Sequence, residues 1–176
     1  MHRRGGVAAL LACGLALGCM QARTSTVRAI QRGALVTSQA KGTFEVKVKP
    51  LPNDEKVAGL TVGRMSIDKQ LAGDIEGTSK GEMMTADTSV QGSAGYVAVE
   101  QMTGKLKGRR GSFKLLHMGT MKRGGELNLT MTVVPDSGTD QLVGVTGTMA
   151  IIIADGKHSY QFDYTLPDLP SPESIE

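Results

Sequence analysis

Apolar and polar residues alternate along most of the chain beyond residue 42. In FEVKV (44–48) and LNLTMTV (127–133) every second residue is apolar, and the residues between them are polar or charged. A period of two is typical of β-strands that bury one face. Turn residues separate such segments, so we predict eight strands between Gly42 and Leu166. Many short strands joined by tight turns favour an up-and-down barrel or a sandwich.

Turn residues indicate which strand positions oppose each other in three predicted hairpins. ADGK (154–157) centres on Asp155-Gly156, which favours a type I′ turn. GRRG (108–111) is interpreted as a turn centred on Arg109-Arg110, and AGD (72–74) as a three-residue loop. The predicted opposing pairs are Ile153 with His158, Met149 with Phe162, Leu106 with Phe113, Met102 with His117, Glu100 with Gly119, Lys69 with Gly77 and Ile67 with Ser79. In each hairpin one face collects the apolar residues, and we expect that face to point inward.

Glu100 and His117 are an acid and an imidazole on faces that are otherwise apolar. In the predicted register they lie diagonally on neighbouring strands, about 7–8 Å apart at the backbone. Long side chains can close that gap, so one interpretation is a hydrogen-bonded pair able to act as general acid and base. The alternatives are an internal pair with no substrate, or a His117 exposed at the mouth of the barrel.

Six polar residues fall on the faces assigned to the interior. Unpaired burial of polar groups is costly, so these side chains need partners, water or a ligand. The candidate binding residues are Lys69, Tyr96, Glu100, His117, His158 and Tyr160. Lys69 is close to a loop, where a lysine can extend its ammonium group to water. His158 directly follows a turn and is expected at the rim.

Composition and charge narrow the function classes. The chain has 176 residues, including 23 Gly, three Tyr, three Phe and no Trp, with a formal net charge of +3. Without Arg3 and Arg4 at the N-terminus, 18 basic residues remain against 17 acidic ones. A nearly neutral domain with few aromatic side chains lacks the basic surface and stacking platforms of a nucleic-acid binder.

Both cysteines, Cys13 and Cys19, precede the domain and no close histidine spacing occurs, so we expect no metal site and no cofactor.

The N-terminal segment resembles an export signal. Two arginines precede an apolar run from Val7 to Gly18, which is too short to span a membrane as an ordinary helix and suits a secretory signal. LALGC (15–19) resembles the bacterial lipobox, which implies lipidation of Cys19, membrane anchoring and an exported or periplasmic domain. The alternatives are ordinary cleavage near Ala22, or translation that starts near Val36 and gives a cytoplasmic protein.

The predicted organisation has four parts. They are a signal peptide or lipoprotein leader (1–19), a flexible tether (20–41), a β-barrel domain (42–166) and a disordered, proline-rich and acidic tail (167–176).

Three long segments resemble a known bacterial family. They are GRMSIDKQLAGDIEGTSKGEM, GSAGYVAVEQMTGKLKGRRGSFKLLHMGTM and VVPDSGTDQLVGVTGTMAIIIADGKHSYQFDYTL. From about Lys41 to Leu166 the chain is similar to the uncharacterised proteins of domain of unknown function 3224, with an allene oxide cyclase-like barrel. The resemblance implies an eight-stranded antiparallel barrel that is related in shape to plant cyclases and dirigent proteins, is often oligomeric and has no settled activity. Family members commonly begin near AKGTFEV, so the leader departs from their pattern. The cyclases' reactive residues cannot be matched to this chain, and no catalytic role is carried over.

Three functions are compatible with this interior. The first is non-enzymatic binding of a small, largely apolar molecule with a polar end near Glu100 and His117. The second is a cyclase or isomerase that uses this pair as acid and base, and the third is a structural or interaction barrel with a filled interior. Small residues opposite Lys69 and Ile67 leave room and favour a cavity.

The outward faces also carry apolar residues. They are Val97, Val99, Leu116, Met118 and Ile152. Exposed apolar bands often become subunit contacts, so we expect a homo-oligomer.

Overall fold

The computed structural model describes residues 37–52 and 62–169. They form antiparallel strands that follow one another around a barrel, which closes where the last strand pairs with the first. The strands are β1 (Ser38–Pro50), β2 (Gly63–Gly73), β3 (Ile75–Asp87), β4 (Ala94–Leu106), β5 (Arg109–Lys122), β6 (Glu126–Val133), β7 (Thr146–Ala154) and β8 (Lys157–Thr165). The predicted all-β, eight-stranded antiparallel barrel is confirmed. The leader with its cysteines, and the tail from residue 170, lie outside the described residues.

β1 begins at Ser38, four residues before the expected start of the barrel at Gly42. Residues 38–41 pair with β8, where Ser38 opposes Tyr164 and Ala40 opposes Phe162. Ala40 is fully buried. The segment consists of small and polar residues. Its extended conformation depends on pairing with a strand more than a hundred residues away in the sequence, and local residue patterns do not reveal such a partner.

Turn geometry explains where the predicted registers are right and where they are wrong. Asp155 and Gly156 have φ values of 51° and 71°, as a type I′ turn requires, and the predicted pairs of this hairpin are confirmed. Between β4 and β5 the positive φ values fall at Lys107 (45°) and Gly108 (83°), so the turn lies two residues earlier than the predicted Arg109-Arg110. A lysine in the left-handed region is uncommon, and for that reason the sequence pointed to the wrong centre.

Both register errors are even-numbered shifts, so every side chain keeps its predicted face. The β4–β5 pairing differs by four residues from the prediction and the β2–β3 pairing by two. The observed opposing pairs are Met102 with Phe113, Glu100 with Leu115, Ala98 with His117, Lys69 with Ser79 and Ile67 with Gly81. Because side chains alternate with a period of two, the inward set is unchanged.

The barrel interior has a filled half and an open half. The filled half lies toward the β4–β5 turn, where the inward side chains are almost completely buried. Its ring system stacks Phe113 on Phe162 at 5.5 Å between centroids and Phe162 on Tyr164 at 5.2 Å. The aliphatic side chains around these rings are those of Ile75, Met102, Leu106, Leu142 and Val145. This packed apolar region is the main source of the hydrophobic stabilisation of the fold.

The β6–β7 connection covers the end of the filled half. It contains a short 3₁₀ turn at Asp140–Leu142, from which the Leu142 side chain inserts fully buried into the core. The Arg109 guanidinium at the start of β5 donates to the carbonyl oxygens of Gln141, at 2.9 Å, and Pro167, at 2.7 Å. These hydrogen bonds hold the connection and the C-terminal segment over this end of the barrel.

The predicted outer apolar residues are exposed, and those on β4 and β5 form a continuous band, whereas Ile152 lies apart on β7. The exposed fractions lie between 46% and 58% for Val97, Val99, Leu116, Met118 and Ile152. Val97 opposes Met118 and Val99 opposes Leu116 across β4 and β5. Met84 on β3, 46% exposed, lies beside Val97 and extends the band to a third strand.

Candidate binding site in the open half of the barrel

The open half of the interior is a cavity of about 470 Å³. Its wall is mainly aliphatic and includes Val46, Ile67, Met83, Leu129 and Ile151. The strand ends around its mouth carry exposed apolar side chains, with Val48 43%, Leu127 47% and Ile153 57% exposed. The cavity therefore opens at the end of the barrel opposite the packed core.

A buried polar cluster lies where this cavity meets the filled half; we call Lys69, Ser79, Glu100 and His117 the floor cluster. Lys69, Glu100 and His117 line the cavity, and Ser79 is bonded to Glu100 behind them. The Lys69 Nζ lies 2.6 Å from Glu100 Oε1, and the Ser79 hydroxyl donates to Glu100 Oε2 at 2.6 Å. All four residues are at least nine-tenths buried. Lys69, Ser79 and Glu100 come from β2, β3 and β4, so the carboxylate ties three successive strands together.

Gly81 makes room for the Glu100 side chain. It stands between Ile67 and Glu100 in the sheet, on the inward face. A Cβ atom at Gly81 would lie 2.7 Å from Glu100 Cγ and 2.2 Å from the carbonyl oxygen of Val99. A side chain at this position would collide with both, so a glycine is required for the carboxylate to reach across β3.

His117 contacts the same carboxylate less favourably. Its Nε2 lies 3.0 Å from Glu100 Oε1, yet the pair does not meet the angular requirements of a hydrogen bond and Nε2 is a buried polar atom without a partner. At this distance Nε2 must carry its hydrogen, since two lone pairs would repel each other. His117 thus keeps a buried N–H group that lacks a well-directed acceptor.

The pKa of Glu100 is lowered from 4.5 to about 2. Burial alone would raise this pKa, but the close approach of the His117 imidazole and the positive charge of Lys69 outweigh it. The floor cluster therefore contains an ionised carboxylate beside a lysine ammonium, a buried ion pair. The ammonium also lies 5.1 Å from the centroid of the Phe44 ring, a favourable cation–π distance.

Comparison with known proteins identifies the family. Residues 40–164 match the family described as "Protein of unknown function (DUF3224)". The chain belongs to the DUF3224 family. A crystal structure of a DUF3224 protein of unknown function from Shewanella oneidensis MR-1 is 45% identical, with a TM-score of 0.69, and the match covers 76% of this chain and 100% of that one. No curated protein matches the sequence.

Tyr96 lies in the wall of the DUF3224 cavity, on the mouth side of Glu100. Its ring crosses Gly119 on the neighbouring strand, where a Cβ atom would lie 2.3 Å from a ring carbon. Burial, and the nearby negative charge of Glu100, raise the pKa of the Tyr96 hydroxyl. The phenol therefore stays protonated at neutral pH and can donate a hydrogen bond toward the cavity.

The other candidates are divided between the two halves of the barrel. His158 lines the cavity near its mouth, and its ring lies against Phe44 with the centroids 5.2 Å apart. Tyr160 belongs to the filled half, where its hydroxyl accepts from the Ile75 N–H at 2.8 Å and lies 3.3 Å from the Ala72 carbonyl oxygen. Tyr160 is therefore part of the core rather than the cavity wall, and its hydroxyl is satisfied by the backbone.

Lys69 lies inside the barrel, on the face that the sequence assigns to the interior. Its ammonium group does not extend to water, the alternative considered for a lysine near a loop: the residue is 7% exposed and paired with Glu100. The reason is a partner two strands away, which pairwise strand registers cannot show. Ser79 is a member of the floor cluster that sequence reasoning placed inside the barrel but did not select, and its inward parity was the available signal.

Within residues 37–52 and 62–169, no cluster of three or more histidine, cysteine, aspartate or glutamate side chains suits a metal ion. The same residues contain no helix long and apolar enough to cross a membrane.

Proposed function

We propose that this DUF3224 protein binds a small, largely apolar molecule in the open half of its barrel, with the molecule's polar end at Glu100 and His117. One observation carries the proposal: an aliphatic wall leads to a single buried polar floor with an unpartnered N–H on His117. The volume of about 470 Å³ lies within the range of about 300–1,000 Å³ that is typical of ligand pockets. The proposed relation to allene oxide cyclase-like barrels rests on the sequence resemblance. It supports the binding proposal only through the shape of the fold, since an eight-stranded barrel can hold one small ligand.

Binding fits this geometry better than acid–base catalysis by the same pair. A general base works best with a pKa near the working pH, whereas the pKa of Glu100 is about 2. Both Glu100 oxygens already accept hydrogen bonds, from Lys69 and Ser79. A barrel filled throughout, the third predicted function, does not describe an interior with this cavity.

A cavity-blocking variant tests the binding proposal. Leu129→Trp places a large ring in the cavity wall, and Thr130→Trp places the same ring on the outer face of the same strand. We expect the neutral fluorescent probe N-phenylnaphthylamine to bind the parent and Thr130→Trp proteins and not Leu129→Trp, with folding checked by thermal unfolding. Equal binding by all three proteins would place the probe outside the cavity and contradict the proposal. Native mass spectrometry of protein purified from its own host would then detect any retained molecule.

We further propose that the protein is exported and anchored through lipidated Cys19. This proposal rests on LALGC (15–19), which lies outside the described residues. Processing should be sensitive to globomycin, and Cys19→Ala should fail to partition into membranes. A native protein whose N-terminus lies near Val36 would contradict it.

A further inference from the structure

We infer that the polar end of the bound molecule is an uncharged hydrogen-bond acceptor, such as the carbonyl oxygen of a ketone, aldehyde or ester. This inference rests on the proposed binding function and adds to it the chemical class of the ligand. Its basis is the unequal supply of donors and acceptors in the floor cluster, together with the charges that face the cavity.

The acceptors of the floor cluster are largely occupied. Glu100 Oε1 accepts from the Lys69 ammonium at 2.6 Å, and Oε2 accepts the Ser79 hydroxyl hydrogen at 2.6 Å. Both carboxylate oxygens are therefore already engaged in short hydrogen bonds, and a ligand donor would have to share one of them. An alcohol or amine that entered as a donor would compete with existing charge-assisted bonds.

The donors of the floor cluster are in excess. The Lys69 ammonium has three N–H groups, of which the contact with Glu100 uses one. The buried N–H of His117 has no directed acceptor. The Tyr96 hydroxyl, which lines the same cavity, adds a third donor. Buried donors that lack acceptors cost stability, and a ligand oxygen placed beside them would relieve that cost.

The charges that face the cavity disfavour an ionised ligand. The described lining residues include one lysine, Lys69, and two carboxylates, Glu100 at the floor and Asp87 at the mouth; the histidines are His117 and His158. The Lys69 charge is already balanced by Glu100 at 2.6 Å. A ligand carboxylate would lose its hydration beside an existing carboxylate, and a ligand ammonium would do so beside an existing ammonium. A neutral carbonyl avoids both penalties and still accepts from the free donors.

Four ten-carbon compounds with different ends test the inference. Methyl octyl ketone, decanoate, decylamine and decane would compete with N-phenylnaphthylamine for the full chain at neutral pH. We expect the ketone to bind about tenfold more tightly than each of the other three, the gain of one well-placed hydrogen bond. Decanoate, decylamine or decane binding as tightly as the ketone would overturn the inference and leave the proposed function intact. If neither the probe nor any of the four compounds binds, the proposed function itself fails.

Floor variants show whether the selectivity comes from these residues. His117→Phe removes an N–H donor that makes no well-directed hydrogen bond within the protein. We expect this variant to bind the ketone and decane with more similar affinities. Glu100→Gln leaves the Lys69 charge unopposed, so the preference should move toward decanoate. Glu76→Gln makes the same chemical change on the outer face and should leave all four affinities unchanged. Unaltered selectivity in both His117→Phe and folded Glu100→Gln protein would overturn the inference.

Discussion

Lys69 on β2 and Glu100 on β4 form an ion pair, with 2.6 Å between Nζ and Oε1, although β3 lies between their strands. The contact is possible because the inward residues of β3 at this level, Ser79 and Gly81, are small. Ser79 joins the pair by a hydrogen bond and Gly81 leaves the necessary space. The pair has consequences for stability that differ from those of the ion pairs on the outer surface.

Breaking the buried pair should destabilise the barrel strongly. Glu100→Gln leaves the Lys69 ammonium without its opposite charge, and we expect the free energy of unfolding in urea to fall by about 3 kcal/mol. The double variant with Lys69→Met should recover part of that loss, because no unpaired charge remains.

The exposed pair of Glu76 and Lys105, with 3.6 Å between Oε2 and Nζ, is the matched control. Glu76→Gln should cost less than about 1 kcal/mol, since solvent screens this pair. Equal losses for Glu76→Gln and Glu100→Gln would contradict the interpretation.

The stability should also depend on pH through Glu100. The pKa of this carboxyl is about 2 in the folded protein and 4.5 when unperturbed, so the unfolded chain takes up the proton first as the pH falls. The stabilisation is therefore fully present above about pH 4.5 and is lost as the pH falls from there through about 2, by about 3 kcal/mol in total. Urea unfolding across this range should show a steeper loss for the parent protein than for Glu100→Gln. Parallel curves would show that Glu100 does not titrate with this shift.

The two halves of the interior should respond differently to the same truncation. Leu142 is fully buried under the β6–β7 connection, and Leu142→Ala should cost about 3 kcal/mol because it leaves a void in a packed region. Leu129 borders the open cavity and is only partly buried, so Leu129→Ala should cost less than about half as much. Chemical denaturation of the two variants gives the comparison directly, and a larger loss for Leu129→Ala would reverse the assignment of the halves.

The outer apolar band predicts self-association. We expect a second copy of the chain to cover the band, because Val97 and Met118 are about half exposed, directly opposed and joined to further apolar side chains on three strands. Met118→Lys should lower the sedimentation coefficient, whereas Thr43→Lys on the outer face of β1 should not. A parent protein that sediments as a monomer at micromolar concentration would contradict this prediction.

The sequence predicted the faces of the strands better than their pairing. The sequence predicts that Glu100 and His117 are diagonal neighbours. In the structure His117 opposes Ala98 rather than Met102, and this is the other diagonal position next to Glu100. The two residues are therefore neighbours even though the turn was predicted at the wrong residues. The pairing of Lys69 with Glu100 was not predictable in the same way, because a strand lies between the two residues. The division into filled and open halves was also hidden, since alternation indicates which residues point inward but not whether their volumes fill the space.

The packed end, closed by Leu142 and the hydrogen bonds of Arg109, lies apart from the aliphatic residues that surround the mouth of the cavity. Substitutions among the aliphatic residues near the mouth can accumulate at small energetic cost, because those positions contribute little to the core. Under the proposed binding function, evolution can therefore change which compounds fit the mouth while the architecture is conserved.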